Sequence, residues 1–306
     1  MNNNNYGFRF SDIIHTDDLF IKRGKNNHGR DKIQNEISFY LEIEKKGIKL
    51  SIPELIYYND NEIHIKNIKN SVCLTYIIDK YNWKSFVNNI CSKLENIHNL
   101  TIEKNVDDIL RDIKIETYDK LIKRYNETEW CKINDFNKIK YVNTIKIKNI
   151  EYYASTINRK ITEILIKKNI NSYNLIHGDT HLGNILSSNN NLYFIDPRGY
   201  FGNSKLYGLK QYDYAKLLFG ISGYSIFDMM KIDTLNIEND NITIEFIKNY
   251  EYVFMDYQFN ENTYLDELTL LFSLSIWLGN NSCFLDENKK ITSLMIAYYY
   301  CEKYIE

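Results

Sequence analysis

"LIHGDTHLGNILSSNNNLYFIDPRG", Leu175 to Gly199, sets short apolar runs around a polar loop. The loop carries His177, Asp179, His181 and Asn184, and Asp196 closes the last run. "YNLIH", "NILSS" and "NLYFID" read as strands. The last two, joined by the Asn-rich turn at 189–191, form a β-hairpin. Asn184 then opens one hairpin strand and Asp196 closes the other. In an antiparallel pair the start of one strand lies beside the end of its partner, so these two oxygen-bearing side chains converge. Converging oxygens suit a hard cation such as Mg²⁺, which keeps water or phosphate in its remaining positions. Asp179, five residues before Asn184, is a second carboxylate placed to accept a proton from an incoming hydroxyl.

A second chemistry fits the same letters. His177, Asp179 and His181 alternate as a transition-metal site of a metallohydrolase would. The other histidines, at 15, 28, 64 and 98, show no HxH or HxxxH partner spacing, and this weighs against a metal cluster. His177 reads instead as a packed residue that anchors the loop. His181 is open between touching a transferred phosphate and bracing the loop. His98, beside Ile97 on a helix, reads as a partly buried structural histidine.

Bulk properties narrow the classes. The 306 residues allow one large domain or two modest lobes, with 44% hydrophobic and 25% charged residues, ordinary for a globular chain. A net charge of −2 gives no global basic surface, which argues against nucleic acid or an anionic membrane as partner. Five cysteines, at 73, 91, 131, 283 and 301, are odd in number and form no CxxC, so a reducing cytoplasm is expected. The start "MNNNNYGFRF" lacks the pattern of a secretory signal, and no apolar run of about 18 residues is present.

The first ~80 residues differ from the rest. "LFIKRGK" (19–25) reads as a strand. "RDKIQNEISFYLEIEKKG" (30–47) reads as a helix with Ile33, Ile37, Tyr40 and Leu41 on one stripe and Gly47 at its end. "SIPELIYYND" (51–60), "EIHIKNI" (62–68) and "SVCLTYI" (71–77) read as strands, the first two joined by an Asn-Asp-Asn turn. From residue 80 the pattern is helical: 83–100, 105–125 and 144–168, then, after the strands at 173–196, 208–220, 246–257, 263–279 and 290–304. The expectation is an α+β chain with a small antiparallel-sheet lobe at 1–79 and a mainly helical lobe at 80–306.

"HGDTHLGNIL…FIDPRG" resembles the catalytic segment of the aminoglycoside phosphotransferase and choline kinase group, small-molecule kinases with the protein-kinase-like fold. The related protein-kinase pattern places an Asp, an Asn five residues on, and the Asp of D-F-G about a dozen later. The spacings here are five, Asp179 to Asn184, and twelve, Asn184 to Asp196. The resemblance implies that Asp179 is the base that orients the acceptor hydroxyl, and that Asn184 and Asp196 hold Mg²⁺. It implies a strand lysine for the α/β-phosphates, Lys22, and a helix glutamate to hold it, Glu36, with Glu42 and Glu44 as rivals. Thr75, Tyr76 and Ile77 match the hinge whose backbone binds the base of ATP or another nucleoside triphosphate. Asp213, in "YDYAKL", matches a buried support of the catalytic loop that accepts backbone N–H groups.

Two features depart from the pattern. Only Gly7 precedes Lys22, so a glycine-rich phosphate loop is either replaced by a reduced flap in "NNNNYGFRFSDIIH" or lies in a longer protein. "IDPRG" carries Pro197 and Arg198 after the metal aspartate, and Arg198 is open between neutralising phosphate charge and a salt bridge that holds the loop. The implied activity is transfer of a nucleotide γ-phosphate to a hydroxyl of a small molecule, a sugar or amino alcohol, with a surface-glycan precursor as one candidate. Choline, ethanolamine or aminoglycoside kinases are the alternatives within the class, and a nucleotide-binding pseudokinase or scaffold is the alternative outside it. For a cationic acceptor, Asp228, Asp256, Asp266 and Glu267 are candidate acids, and Trp83, Trp130 and Trp277 a candidate aromatic box.

Overall fold

The computed structural model describes residues 11–128, 130, 136–256 and 264–305. The poly-Asn start, Gly7, Cys131 and the ends of the helices expected at 246–257 and 263–279 therefore lie outside the described residues. The chain divides into two compact units, residues 1–102 with 173–213, and residues 103–172 with 214–306. This division by compactness places the segment that opened the sequence reading with the N-terminal sheet.

In the first unit a four-stranded antiparallel sheet has the order β1-β2-β4-β3: β1 Ser11–His15, β2 Leu19–Gly24, β3 Leu55–Asn59 and β4 Glu62–Lys66. The β1 strand pairs with the Lys22 strand and was not expected as a strand. Between β2 and β3 runs helix α1, Asn27–Lys46. Asn26 caps its start by accepting the Gly29 N–H, and Gly47, at φ 61°, ends it with its own N–H on Glu44 and Ile43 carbonyls. Ile33, Ile37 and Tyr40 of α1 pack with Ile63 and Ile65 of β4, with Phe20, Leu41, Ile52 and Leu55 around them. Successive strand residues alternate faces, so Lys22 shares a face with Phe20, which is how a lysine comes to be buried under α1.

The stretch expected as a strand over 71–77 is corrected. Only Val72–Cys73, β5, is extended, and Leu74–Tyr76 forms a 3₁₀ turn. β5 does not join the sheet of Lys22. It pairs with Leu186 and Ser187 of the hairpin Ile185–Ser188/Asn191–Phe194. After β4, Asn70 at φ 55° turns the chain away from the sheet, and Ser188 Oγ donates to the Lys69 carbonyl to hold that path. The hairpin turn uses Asn189 and Asn190, both at positive φ, as a tight two-residue connection requires. Helix α2, Trp83–His98, buries Trp83, Val87, Ile90, Cys91, Leu94, Ile97 and His98.

The second unit is built mainly of helices: Val106–Lys114, Lys120–Asn126, Ile150–Lys167, Glu267–Leu278 and Glu287–Tyr304. A π turn at Ile115–Asp119 joins the first two. Glu267–Leu278 is buried almost all round and packs on both Ile150–Lys167 and Glu287–Tyr304. The helix expected from 144 starts at Ile150, capped by Asn149, because 145–146 belongs to a small four-stranded sheet with Tyr141–Val142, Asn241–Thr243 and Asn236–Glu238. Strands this short leave too few residues for periodicity to register. Among the described residues no helix is long and apolar enough to cross a membrane.

Candidate active site

Lys22 on β2 donates to both Glu36 carboxylate oxygens on α1, at 2.9 and 2.8 Å, and to Asp196 Oδ1. Lys22 and Glu36 are 6% and 5% exposed, whereas the Asp196 side chain is half-exposed. Burial works against the Lys22 charge, but the carboxylates of Asp196 and Glu36 outweigh it and hold the ammonium above its ordinary value. Burial pushes the Glu36 carboxyl up to about 7, against the pull of Lys22. Of the rival glutamates, Glu42 accepts from the Tyr207 hydroxyl at 3.0 Å, and Glu44 is exposed. The structure therefore places Glu36, and neither rival, on Lys22.

Asp196 follows the hairpin at φ 57°, in the left-handed region that aspartate tolerates better than most residues. The Ile195 N–H donates to the Asn184 carbonyl at 3.0 Å, which brings Asp196 beside Asn184. The Asn184 side-chain N–H₂ donates to the Asp179 carbonyl at 2.9 Å and to Asp179 Oδ2 at 3.2 Å. That leaves Asn184 Oδ1 as the acceptor atom of the amide. Asn184 Oδ1 and the Asp196 carboxylate are oxygen donors only, few in number and partly open. This donor set fits a hard cation that takes one or two protein ligands and fills its shell with phosphate and water.

The loop from His177 to Asn184 is held from below. Asp213, fully buried in the first turn of Lys210–Phe219, accepts the N–H of His177 at 2.9 Å and of Gly178 at 2.6 Å. Thr180 Oγ1 donates to the Asp213 carbonyl. The third contact of the Asp213 carboxylate is His98 Nε2 at 2.9 Å. His98 belongs to α2 and is buried, more so than the sequence suggested. A histidine beside an apolar stripe carries no mark of a partner 115 residues away.

His177 lies between the rings of Phe39 and Phe194, and its Nδ1 accepts the Asp179 N–H at 3.3 Å. Burial holds its imidazole below the ordinary pKa. His181 uses Nδ1 to accept the Gly183 N–H, and its Nε2 is 3.9 Å from Asp179 Oδ2. Among the described residues no group of three or more His, Cys, Asp and Glu side chains could hold a metal, and His177 and His181 each spend Nδ1 on a loop N–H.

Arg198 stacks its guanidinium 3.8 Å from the Tyr200 ring centre and donates to the Tyr212 hydroxyl at 2.7 Å. Its backbone N–H donates to the His177 carbonyl. Gly199 turns at φ 66° so close to α1 that a Cβ would sit 2.6 Å from the Asn35 carbonyl oxygen. The segment after Asp196 is thus seated directly beside Glu36. At the expected hinge, Thr75 is buried and Tyr76 exposed, the Ile77 N–H donates to Leu74, and the Ile77 carbonyl accepts from Asn82. The Ile77 backbone is therefore already engaged within the turn.

Of the residues named for a cationic acceptor, Asp266 and the three tryptophans have other surroundings. Asp266 caps Glu267–Leu278 by accepting the Thr269 N–H. Trp277 is fully buried among Phe219, Phe227 and Tyr300, and Trp130 is stacked on Tyr125 and Phe136. Trp83 is buried at the start of α2. These three rings are core, as aromatics at helical spacing usually are.

No protein-family model matches the sequence, and a search of curated protein sequences finds no match. Solved structures do match. A GDP complex of a mutant aminoglycoside 2'-phosphotransferase-IIIa superposes with a TM-score of 0.55 at 12% identity, covering 96% of this chain and 89% of that one. The GDP and kanamycin complex of APH(2")-IIia gives 0.54 at 13% identity, over 96% and 91%. Choline kinase LicA from Streptococcus pneumoniae gives 0.52 at 14% identity, over 96% and 90%. At such identities the likeness is one of fold, and the chain has the α+β, protein-kinase-like fold of these phosphotransferases.

Proposed function

We propose that the chain is a nucleotide- and Mg²⁺-dependent phosphotransferase that moves a γ-phosphate to a hydroxyl of a small molecule. The observation that carries this reading is the convergence, in one unit, of Lys22–Glu36 with Asp196, from positions 174 residues apart, beside an Asn184 that holds Asp179. Phosphoryl transfer asks little covalent chemistry of a protein and much positioning and charge neutralisation. Lys22, fully charged, binds the α- and β-phosphates and is aimed by Glu36. Asp179, fixed by the Asn184 amide, accepts the proton of the attacking hydroxyl at its carboxylate. Asn184 Oδ1 and Asp196 hold Mg²⁺, which when bound neutralises charge on the transferred phosphoryl group. His181 Nε2 lies 3.9 Å from Asp179 Oδ2, and Arg198, held by Tyr200 and Tyr212, braces the loop.

In this reading residues 1–79 form the nucleotide-binding lobe, with the hinge at Thr75–Ile77, and residues 80–306 carry the catalytic loop and acceptor site. A reducing cytoplasm suits the free cysteines at 73, 91, 283 and 301. The acceptor is a sugar or amino alcohol, with a glycan precursor as one form. Choline and kanamycin, for which similarly folded enzymes are named, belong in the test. Retention of Lys22, Glu36, Asp179, Asn184 and Asp196 argues against a pseudokinase.

The test is an acceptor panel of sugars, amino alcohols and aminoglycosides with ATP and GTP, read by the mass of an added phosphate. One acceptor should gain phosphate only when Mg²⁺ is present. Asp179→Asn should abolish transfer and keep nucleotide affinity. Equal behaviour of wild type and Asp179→Asn across the panel would sink the enzymatic reading.

A further inference from the structure

The sequence leaves His181 open between a brace of the loop and a contact with the reacting groups. The structure divides these roles between the two nitrogens of one ring. Nδ1 accepts the Gly183 N–H at 3.1 Å and so caps the turn Leu182–Asn184. The ring lies so close to Gly183 that a Cβ there would sit 2.7 Å from His181 Cε1 and 3.0 Å from Nδ1. A larger residue at 183 would push the imidazole out of this seat. The ring is therefore held both at one edge and on one face.

A neutral imidazole whose Nδ1 accepts a hydrogen bond carries its hydrogen on Nε2. His181 thus presents Nε2–H as a donor. That nitrogen stands 3.9 Å from Asp179 Oδ2, and both side chains are partly exposed, so the pair lies on the open side of the loop. The same Asp179 oxygen receives the Asn184 amide at 3.2 Å. Oδ2 therefore has one donor in contact and a second about 1 Å beyond an ordinary hydrogen bond. Hydrogen bonds around a general base are often long before ligands bind and tighten in the complex. An aspartate carboxylate turns easily about its last bond, and a second donor on one oxygen removes that freedom.

We propose that His181 is a positioning residue for Asp179: with nucleotide and acceptor bound, its Nε2–H donates to Asp179 Oδ2 and holds the carboxylate in one orientation for the attacking hydroxyl. This rests on the reading of Asp179 as the base. The hydroxyl proton goes to Asp179, and His181 keeps its own. Bracing belongs to Nδ1 and positioning to Nε2, so a substitution can remove one and keep the other.

The test is the full chain with His181→Asn, assayed on whichever sugar, amino alcohol or aminoglycoside of the panel gains most phosphate. Asparagine caps such a turn well, with its side-chain oxygen about where Nδ1 stands, but it ends short of Nε2. The turn stays braced, and Asp179 loses the donor. The kcat should fall about 10–100-fold, the scale of a hydrogen bond to a charged group. The acceptor KM, the calorimetric Mg·ADP affinity and the melting temperature should stay at wild-type values, which a merely structural histidine would not give. Wild-type kcat in His181→Asn overturns the proposal. Asp179→Asn separates the two readings. If it turns over as wild type does, or if wild type phosphorylates nothing in the panel, the base itself is refuted and the role of His181 with it. If only Asp179→Asn is impaired, the role of His181 alone is refuted. Should KM, affinity or melting temperature change together with kcat, a crystal structure of wild type with Mg·ADP and that acceptor decides. His181 Nε2 about 2.8 Å from Asp179 Oδ2 supports the proposal, and a separation beyond hydrogen-bond range refutes it.

Discussion

Replacing Asp213 by alanine removes one acceptor group from three buried donors. The N–H groups of His177 and Gly178 and the His98 Nε2 all end on this carboxylate. Each stranded backbone donor costs about 1–3 kcal/mol. The vacated space can admit a water that recovers part of this, so the net loss is about 3–5 kcal/mol, the range seen when one partner of a buried pair is deleted. At about 2–4 °C per kcal/mol for a chain of this size class, Asp213→Ala should melt on the order of 6–20 °C lower. The loss should be local as well as global. Hydrogen–deuterium exchange of the peptide containing His177 and Gly178 should speed up more than that of the β2–β4 strands, and turnover should fall because the loop presents Asp179. A melting drop under about 3 °C, with exchange at His177 and Gly178 unchanged, would refute the view that this carboxylate holds the loop.

Gly199→Ala should destabilise the seat of the segment after Asp196. Its φ of 66° disfavours a side chain, and the new Cβ would lie 2.6 Å from the Asn35 backbone oxygen, so α1 must shift beside Glu36. Calorimetry should show weaker Mg–nucleotide binding, and thermal melts a loss of about 1–3 kcal/mol. His177 sets a pH dependence. Burial lowers its folded pKa below the ordinary 6.5, so the folded state binds fewer protons than the unfolded one. Stability from this group is complete above that value and is lost as pH falls below it. Between pH 6.5 and 5, wild type should lose stability faster than His177→Phe, by at most about 1.4 kcal/mol per pH unit. Parallel melting curves across that window would contradict the assignment.

The loop from Asp179 to Asn184 and its hairpin were legible because their logic is local. Five residues from Asp179 to Asn184, twelve to Asp196 and an Asn-Asn turn are constraints a short segment meets by itself. Helix α1 was legible for the same reason, with an apolar stripe, a glycine stop and a glutamate four residues before Tyr40. Glu36 was favoured over Glu42 and Glu44 because it lies on the apolar stripe, but its contact depends on which side chain faces a strand lysine. The route of 71–77 was missed for a related reason. A short apolar run states that it will be buried, not which sheet will take it, and β5 went to the hairpin of residues 185–194.

The sequence by itself determined the class of fold and the spacing of the oxygen donors, since periodicity and turn chemistry act over a few residues. Tertiary structure alone decided what those groups face. Lys22 meets Asp196 across 174 residues, and His98 meets Asp213 across 115. The Tyr40 hydroxyl, one more member of an apolar stripe in the sequence, is buried and, among the described residues, has no hydrogen-bond partner. Contacts of that kind depend on where burial excludes water, and burial is a property of the folded chain.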